Sequence, residues 1–243
     1  MSKIYEALEN AGEERAVTDD RGGGSVAAPV SPTKPMTGLE EKLLALYKRV
    51  DSSLDGEGGK LVALAPVQSE KDGLRLACTF AKMVAARLRL KVLFLGAYPT
   101  RYLARAFPKA GPHGWEEVVL GQRAIDEVVH TVGGTDLCMS LLATSSSSFP
   151  AVLAAPGLGS VLEGLRDRFD LILIGTPSLA GSAEAALLSA MAQGVVVVVE
   201  ADKTRWQVIK DATDQIAAQG GKVLGTLLKR QRHYIPGVVY RNL

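Results

Sequence analysis

The stretch "KLVALAPVQSEKDGLRLACTFAKMVAARLRL", residues 60–90, determines the predicted fold of this 243-residue chain. It begins with an uninterrupted apolar run, as expected for a strand that is buried on both faces of a sheet. Polar residues at 68–72 follow, and then apolar residues recur at nearly helical spacing, which predicts a helix. A buried strand that turns directly into a helix is the first half of a β-α-β unit.

The same alternation of strand and helix continues toward the end of the sequence. Further strands are predicted at residues 91–98, 136–144, 170–176, 194–200 and 222–229, and the segment 124–132 is expected to be helical. Right-handed crossovers between parallel strands place helices on both faces of the sheet. We therefore predict an α/β fold with a doubly wound parallel sheet.

The chain is expected to have three parts. Residues 1–14 read as a short amphipathic helix, because Ile4, Leu8 and Ala11 recur at helical spacing. Residues 15–38 are rich in Gly, Pro and Ser, which is typical of a flexible linker. Residues 39–243 form the folded domain. A short helix on a long tether favours a docking element, and a frayed end without function is the alternative.

Composition excludes several classes of protein. The net charge of +2 is too small to indicate a nucleic-acid partner. Cys78 and Cys138 lie in apolar segments and are expected to be free thiols in a reducing cytoplasm, and the three histidines lack metal-ligand spacing. No apolar run approaches the roughly 20 residues of a membrane span. We expect a cytoplasmic protein that reaches a membrane process only through a partner.

The loop at residues 67–73, "VQSEKDG", lies where a nucleotide-binding protein places its phosphate loop. Ligands of open parallel sheets bind at the carboxyl ends of the strands. A phosphate loop uses glycines to turn backbone N–H groups toward the phosphates, a lysine for the β- and γ-phosphates and a Ser or Thr for magnesium. This loop has the lysine without the surrounding glycines.

The order of motifs resembles the cytoplasmic bacterial tyrosine kinases of polysaccharide export, a branch of the MinD/ParA-like P-loop ATPases. Residues 168–178, "RFDLILIGTPS", are similar to the family's "-FD-IIIDTPP-", and residues 192–204, "AQGVVVVVEADKT", to its "ADGVLLVV-A-KT". Residues 220–229, "GGKVLGTLLK", resemble its "GG-VLG-VLN", and a Tyr-Ile-Pro tail follows. Residues 1–8, "MSKIYEAL", look like the opening of the exosortase-linked branch. The likeness covers nearly the whole chain outside the linker.

The resemblance identifies positions of a former nucleotide site. Lys71 stands at the phosphate-loop lysine, Glu70 replaces the preceding glycine, and Asp72 replaces the Ser or Thr that follows. Gly96 and Tyr98 stand where the family has an Asp-x-Asp pair for magnesium and the attacking group.

Two further strand ends depart from the family's pattern. Gly175 replaces the magnesium-positioning Asp, and Lys229 replaces the Asn that contacts adenine. Residues 40–48, "EEKLLALYK", offer Leu44 and Tyr47 where arginines for ring assembly are expected. With these losses we interpret the loop as an ordinary turn, with an exposed Lys71 that pairs with Glu70 or Asp72.

The resemblance therefore implies a kinase-like scaffold or regulator without catalysis, cofactor or metal. It would dock on an inner-membrane polysaccharide co-polymerase or chain-length protein during export of exopolysaccharide, capsule or a holdfast-type polymer. The alternative is an active tyrosine autokinase or ATPase that uses ATP and Mg²⁺ in a rearranged site built from Lys71, Asp72 and Lys203. A ParA-like protein that binds DNA or membrane is disfavoured by the near-neutral charge.

Two apolar segments are candidates for partner binding. The first is the N-terminal helix, with Ile4, Tyr5 and Leu8. The second is the C-terminal tail, which carries the candidate residues Tyr234, Ile235 and Tyr240 and has the alternative of packing on its own domain. A homo-oligomer is a further possibility that the sequence leaves open.

Overall fold

The computed structural model describes residues 36–97, 113–142, 149–201 and 203–229. The predicted N-terminal helix, most of the linker, Tyr98 and the C-terminal tail therefore lie outside the described residues.

Within the described ranges, strands and helices alternate as the sequence predicted. The strands are β1 (Lys60–Pro66), β2 (Val92–Gly96), β3 (His130–Thr131), β4 (Leu137–Leu141), β5 (Leu171–Gly175), β6 (Gly194–Glu200) and β7 (Val223–Lys229). The helices are α1 (Gly38–Ser53), α2 (Glu70–Leu88), α3 (Trp115–Val119), α4 (Ile125–Val128), α5 (Phe149–Ala154), α6 (Leu158–Arg166), α7 (Ala183–Ala190) and α8 (Trp206–Ala218).

The strands form one seven-stranded sheet in the order β3-β4-β2-β5-β1-β6-β7. All neighbours pair in parallel except β3, which runs antiparallel to β4. The interior strand β1 contributes Leu61, Ala63 and Ala65 to one hydrophobic cluster and Val62 and Leu64 to the other. The sheet is thus covered on both faces, as the apolar run of β1 predicts.

The edge strand β3 corrects the predicted helix at residues 124–132. The helix α4 ends at Val128, and His130 and Thr131 pair with Met139 and Cys138 of β4. Gly133 and Gly134 have φ angles of 56° and 65°. Two successive positive φ angles are the geometry of a tight hairpin turn, which glycine adopts without strain. The paired glycines therefore end the helical pattern and return the chain as a hairpin.

Helix α1 packs on the α2 side of the sheet. The Thr37 hydroxyl accepts from the Glu40 N–H, the Glu40 carboxylate accepts from the Thr37 N–H at 2.7 Å, and Arg87 of α2 donates to the same carboxylate. Thr37 is thus the N-cap of α1, in a capping box with Glu40. Leu44 and Tyr47, which stand at expected assembly positions, are partly buried against the core here.

Both cysteines are free. Cys78 is buried in α2, and burial raises the pKa of its thiol to about 12. Cys138 is half-buried on β4, where its Sγ lies 3.7 Å from the Thr131 hydroxyl.

Candidate functional site

A crevice lies at the carboxyl ends of β1, β6 and β7, where ligands of parallel sheets bind. Its lining combines the loop after β1, the first turn of α2 and the ends of the two neighbouring strands: Pro66, Gln68, Ser69, Asp72, Gly73, Val198, Glu200 and Lys229. The sequence had placed the vestigial phosphate loop at this edge.

The loop after β1 is tied to the strands on either side of it. The Val67 N–H donates to Val198 O at 2.9 Å, and Val67 O accepts from the Ala180 N–H at 3.0 Å and from the Ser178 hydroxyl at 3.0 Å. The Thr204 hydroxyl donates to Gln68 Oε1 at 3.1 Å. The Val67 N–H of this loop is therefore engaged by β6, while its carbonyl and the Gln68 side chain are engaged by neighbouring loops.

Glu70 begins helix α2, so the predicted loop is shorter than the sequence indicated. Its Oε1 accepts a long hydrogen bond from the Ser178 N–H, at 3.4 Å. Ser178 lies just after β5, in the segment that resembles the family's Asp-Thr-Pro-Pro. The glutamate therefore joins the first loop to the β5 loop.

Lys71 is exposed on the first turn of α2. The expected ion pair with Glu70 or Asp72 is not formed, because the carboxylate of Asp72 has a different cationic partner. Lys71 makes no hydrogen bond or ion pair with the described residues.

Asp72 and Lys229 meet across the crevice. Lys229 Nζ lies 2.5 Å from Asp72 Oδ2, and the Ser69 hydroxyl donates to the same oxygen at 3.0 Å. The two side chains are 19% and 23% exposed, and Lys229 Nζ itself is buried. That contact lacks hydrogen-bond geometry within the described part of the chain, so it is an ion pair without a directional hydrogen bond. It joins the first turn of α2 to the end of β7.

Gly96 and Gly175 are in register at the ends of β2 and β5. The Trp115 indole N–H donates to Gly96 O at 3.0 Å, and the Ala97 N–H donates to Gly175 O at 2.9 Å. A Cβ on Gly175 would lie 2.8 Å from Leu74 Cδ2 and 3.0 Å from Phe94 Cζ. These neighbours would have to shift before any side chain could stand at position 175.

The alternative site of Lys71, Asp72 and Lys203 is not assembled. Lys203 Nζ lies 3.0 Å from Glu200 Oε1, Asp72 pairs with Lys229, and Lys71 faces solvent. Among the described residues, no group of three or more His, Cys, Asp or Glu side chains is placed to hold a metal ion. In the same ranges, no helix combines the length and apolar character of a membrane span.

Sequence reasoning did not single out several residues that build this edge. Ser178 links two loops, and Trp115 bonds the end of β2 although it is distant in sequence. A Cβ on Gly73 would lie 2.6 Å from Pro66 Cβ, so glycine allows α2 to approach β1. The glycine after "SEKD" was a usable signal for close packing, whereas the other contacts depend on tertiary structure.

No model of a known protein family matches the chain. The succinoglycan biosynthesis transport protein ExoP of Rhizobium meliloti is 23% identical over 185 residues, which cover 74% of this chain and 23% of ExoP. The tyrosine-protein kinase CpsD of Streptococcus agalactiae is 22% identical over 185 residues, which cover 75% of this chain and 80% of CpsD. A putative tyrosine-protein kinase, EpsB of Ralstonia solanacearum, is 24% identical over 77% of this chain and 25% of EpsB. The chain thus spans about a quarter of the length of ExoP and EpsB.

Solved structures share the fold. The kinase domain of the Escherichia coli tyrosine kinase ETK has a TM-score of 0.70 at 17% identity, over 81% of this chain and 79% of that chain. The chimerical protein CapA2B2 has a TM-score of 0.72 at 18% identity, over 83% and 88% of the two chains. The cell division ATPase MinD of Pyrococcus furiosus has a TM-score of 0.59 at 17% identity, over 76% and 78%.

The predicted α/β fold of the MinD and tyrosine-kinase type is therefore confirmed. The sequence matches also agree with the likeness to bacterial tyrosine kinases that the motif order indicated. Assignment to the exosortase-linked branch stays a prediction.

Proposed function

We propose that the protein is a non-catalytic, kinase-like scaffold or regulator of polysaccharide biosynthesis and export. The link to polysaccharide rests on its similarity to a succinoglycan biosynthesis transport protein and to tyrosine-protein kinases. The main observation in support of an inactive site is the ion pair between Asp72 and Lys229 in the candidate nucleotide crevice.

Glu70 would repel a nucleotide phosphate, and the crevice lysine that could offset this repulsion, Lys229, is already paired. Glu70 stands where the resemblance places a phosphate-loop glycine, and Asp72 stands where it places a Ser or Thr. At an effective dielectric constant near 20, two like unit charges about 4 Å apart repel by about 4 kcal/mol. Lys71 faces solvent, and Lys229 already neutralises Asp72. A phosphate could therefore bind the Lys229 ammonium group only by breaking the ion pair between Lys229 and Asp72.

Magnesium also lacks its acidic ligands. Gly96 and Gly175 stand at positions where the resemblance implies aspartates, and position 175 has no room for a side chain unless Leu74 and Phe94 shift. Phosphoryl transfer depends on positioning the phosphates and neutralising the charge that develops on them. The residues present do not fit a magnesium nucleotide, so we assign no catalytic step to this crevice.

A protein without catalysis acts through binding. We assign docking to the N-terminal segment with Ile4, Tyr5 and Leu8, on a tether whose typical span is about 25 Å. The tail with Tyr234, Ile235 and Tyr240 is the second docking candidate. The partner would be an inner-membrane co-polymerase or chain-length protein, which would make this protein cytoplasmic and peripheral to that membrane.

Two deletions in the native cell test the docking role. Removal of residues 1–14 should release the protein from the membrane fraction and impair polymer export, while the purified core keeps its circular dichroism and melting temperature. Removal of residues 22–31 is the matched control, because it shortens the linker and keeps the docking segment. If the protein without residues 1–14 still co-purifies with the export complex and export is normal, the docking assignment is wrong.

The second candidate function is an active tyrosine autokinase. It is favoured by the similarity of the chain to CpsD, a tyrosine-protein kinase, and to EpsB, a putative tyrosine-protein kinase. Incubation with labelled ATP and magnesium distinguishes the two functions, since an autokinase transfers label to its own tyrosines. The scaffold proposal expects no transfer.

A further inference from the structure

Strand β7 lies at one edge of the sheet, although its sequence is that of an inner strand. It reads "VLGTLLK", residues 223–229, a nearly continuous apolar run of the kind found in strands that are buried on both faces. Its neighbour β6 has the same kind of sequence and is buried over residues 194–199. β7 is half-buried or exposed along its whole length, and Leu228 is 53% exposed. The described neighbours of β7 therefore leave several of its apolar side chains uncovered.

The two faces of the sheet both have open space beside β7. Leu227 packs against the cluster on the α2 side, so the side chain of Leu228 lies on the opposite face, where α8 packs. In agreement, Leu228 is in register with Val199, which belongs to the cluster on the α8 side. On the α2 side, a Cβ on Gly225 would meet nothing within 4 Å. An added strand could therefore place side chains on either face.

The backbone of β7 is also open on its outer side. In the described part of the chain, the sheet ends at this strand. Lys229 O accepts from the Ala201 N–H, so the backbone groups of Lys229 face β6. Because successive residues of a strand direct their N–H and C=O groups to opposite sides, Thr226 and Leu228 direct theirs outward. The opposite edge strand, β3, is only two residues long, and a short edge limits unwanted pairing.

The sequence continues directly from this open edge. Residues 230–233 are polar, and residues 234–240, "YIPGVVY", are mostly apolar and include three β-branched side chains, which favour strands. A four-residue loop is common in β-hairpins. With residues 230–233 as the loop, Ile235 would stand opposite Leu228. Such a short loop costs little entropy, which favours this segment over a separate molecule as the occupant of the edge.

Pro236 fits this register of the hairpin. It would stand opposite Leu227, whose backbone groups face β6, so the added strand needs no N–H at that position. Proline lacks an N–H and occurs in sheets mainly on edge strands. A shift by one residue would place Pro236 opposite Thr226 or Leu228, where a hydrogen bond would be lost. The proline therefore favours the register with the four-residue loop.

We propose that residues 234–240 pair antiparallel with the outer side of β7, in this register, as an additional strand of the sheet. Ile235 would cover Leu228 on the α8 face, and Val238 would fill the open space over Gly225 on the α2 face. This proposal goes beyond the scaffold function and does not depend on it. It assigns the C-terminal tail to its own domain and leaves partner docking to the N-terminal segment.

Amide hydrogen exchange followed by NMR tests the pairing in the full 243-residue chain. The outward N–H groups of Thr226 and Leu228 should exchange at least about tenfold more slowly than in a chain without residues 234–243, because the added strand would accept their hydrogen bonds. The N–H of Leu227 faces β6 and is the internal control, which should be protected in both chains. A nuclear Overhauser effect between the Cα protons of Leu227 and Pro236 would establish the register, since such a pair lies about 4.5 Å apart.

Point variants test the pairing without shortening the chain. Ile235→Asp would place a charge against Leu228 and should remove the protection of the Thr226 N–H. Gln231→Asp, in the proposed loop, is the matched control and should keep the protection of wild type.

Three results would overturn the proposal. The first is rapid exchange of the Thr226 and Leu228 N–H groups in the full chain. The second is protection of these groups that stays the same in the shortened chain and in Ile235→Asp. The third is protection that rises with protein concentration together with a dimer in sedimentation, which would assign the edge to a second copy of the chain.

Discussion

Asp72 Oδ2 lies 2.5 Å from Lys229 Nζ, and this contact joins the first turn of α2 to the carboxyl end of β7. The pair occupies the crevice in which the related fold would place a nucleotide. Because both side chains are mostly buried, the contact is less screened by solvent than a surface ion pair. The crevice thus holds an ion pair between two elements of the protein.

The Asp72–Lys229 pair should be energetically coupled. We expect a coupling free energy of roughly 1–3 kcal/mol from Asp72→Asn, Lys229→Met and the double variant, between the values for exposed and fully buried pairs. Urea unfolding measures it. The control is Lys210 with Asp214 on α8, also 2.5 Å apart but 59% and 60% exposed, for which a much smaller coupling is expected because water screens the pair. Equal coupling in both pairs would argue against a special role for the crevice pair.

Introducing a side chain at position 175 should destabilise the fold. Gly175→Ala places a Cβ 2.8 Å from Leu74 Cδ2 and should cost about 1–3 kcal/mol, the usual cost of overpacking a core. Gly164→Ala is the control, because its Cβ meets nothing within 4 Å on the exposed side of α6 and alanine favours a helix. Thermal melting of both variants checks this. If Gly175→Ala has the melting temperature of wild type, Leu74 and Phe94 shift without a measurable loss of stability.

Glu40 should contribute to stability at neutral pH. The Thr37 N–H, with Arg87 beside it, holds the pKa of this carboxyl below its ordinary value of 4.5. A carboxyl whose pKa is lowered in the folded state stabilises the fold above pH 4.5, and the contribution is lost as pH falls through the lowered pKa. Glu40→Gln should therefore reduce the free energy of unfolding at neutral pH and approach wild type in acid.

Urea unfolding between neutral pH and about pH 3 is the measurement. Glu41→Gln is the control, because Glu41 is exposed in the same helical turn and makes no ion pair with the residues that the structure describes. If Glu40→Gln and Glu41→Gln lose the same stability at every pH, the cap and ion pair of Glu40 contribute nothing measurable.

The sheet could be predicted because its strands are continuous apolar runs that only a buried position explains. Residues 61–66 and 194–199 have this pattern, and both are buried in the structure. The hairpin at β3 was missed because residues 125–132 carry apolar residues at a spacing compatible with a short helix. The decisive signal there was the Gly133-Gly134 pair, which the helical interpretation passed over.

The sequence located the candidate site, but it did not show which side chains contact each other there. The motif order located Lys71, Asp72 and Lys229 at strand ends, and all three lie at the expected edge. Sequence reasoning nevertheless paired Lys71 with its neighbours, whereas Asp72 pairs with Lys229. Which opposite charges meet depends on the register of β7 beside β6 and on the start of α2. Neither can be derived from spacing along the chain.

The chain should not transfer phosphate. With glycine at positions 96 and 175, the described strand ends lack the acids that the resemblance assigns to magnesium. Incubation with labelled ATP and magnesium should leave the protein unlabelled and should release no phosphate above background. The observation that would contradict this expectation is steady turnover that disappears in the Lys71→Ala variant.

Equilibrium binding of ATP with magnesium most directly tests the proposal that the crevice does not bind a nucleotide. Calorimetric titration of the full chain with millimolar ATP should give no saturable heat, and the melting temperature should not change. A ligand at a hundredfold excess over its dissociation constant would stabilise the fold by about 2.7 kcal/mol. For a domain of this size, that corresponds to a rise in melting temperature of several degrees, at about 2–4 °C per kcal/mol. A saturable heat with such a rise, both lost in Lys71→Ala, would contradict the account, whereas a flat titration and an unchanged melting temperature are the results it predicts.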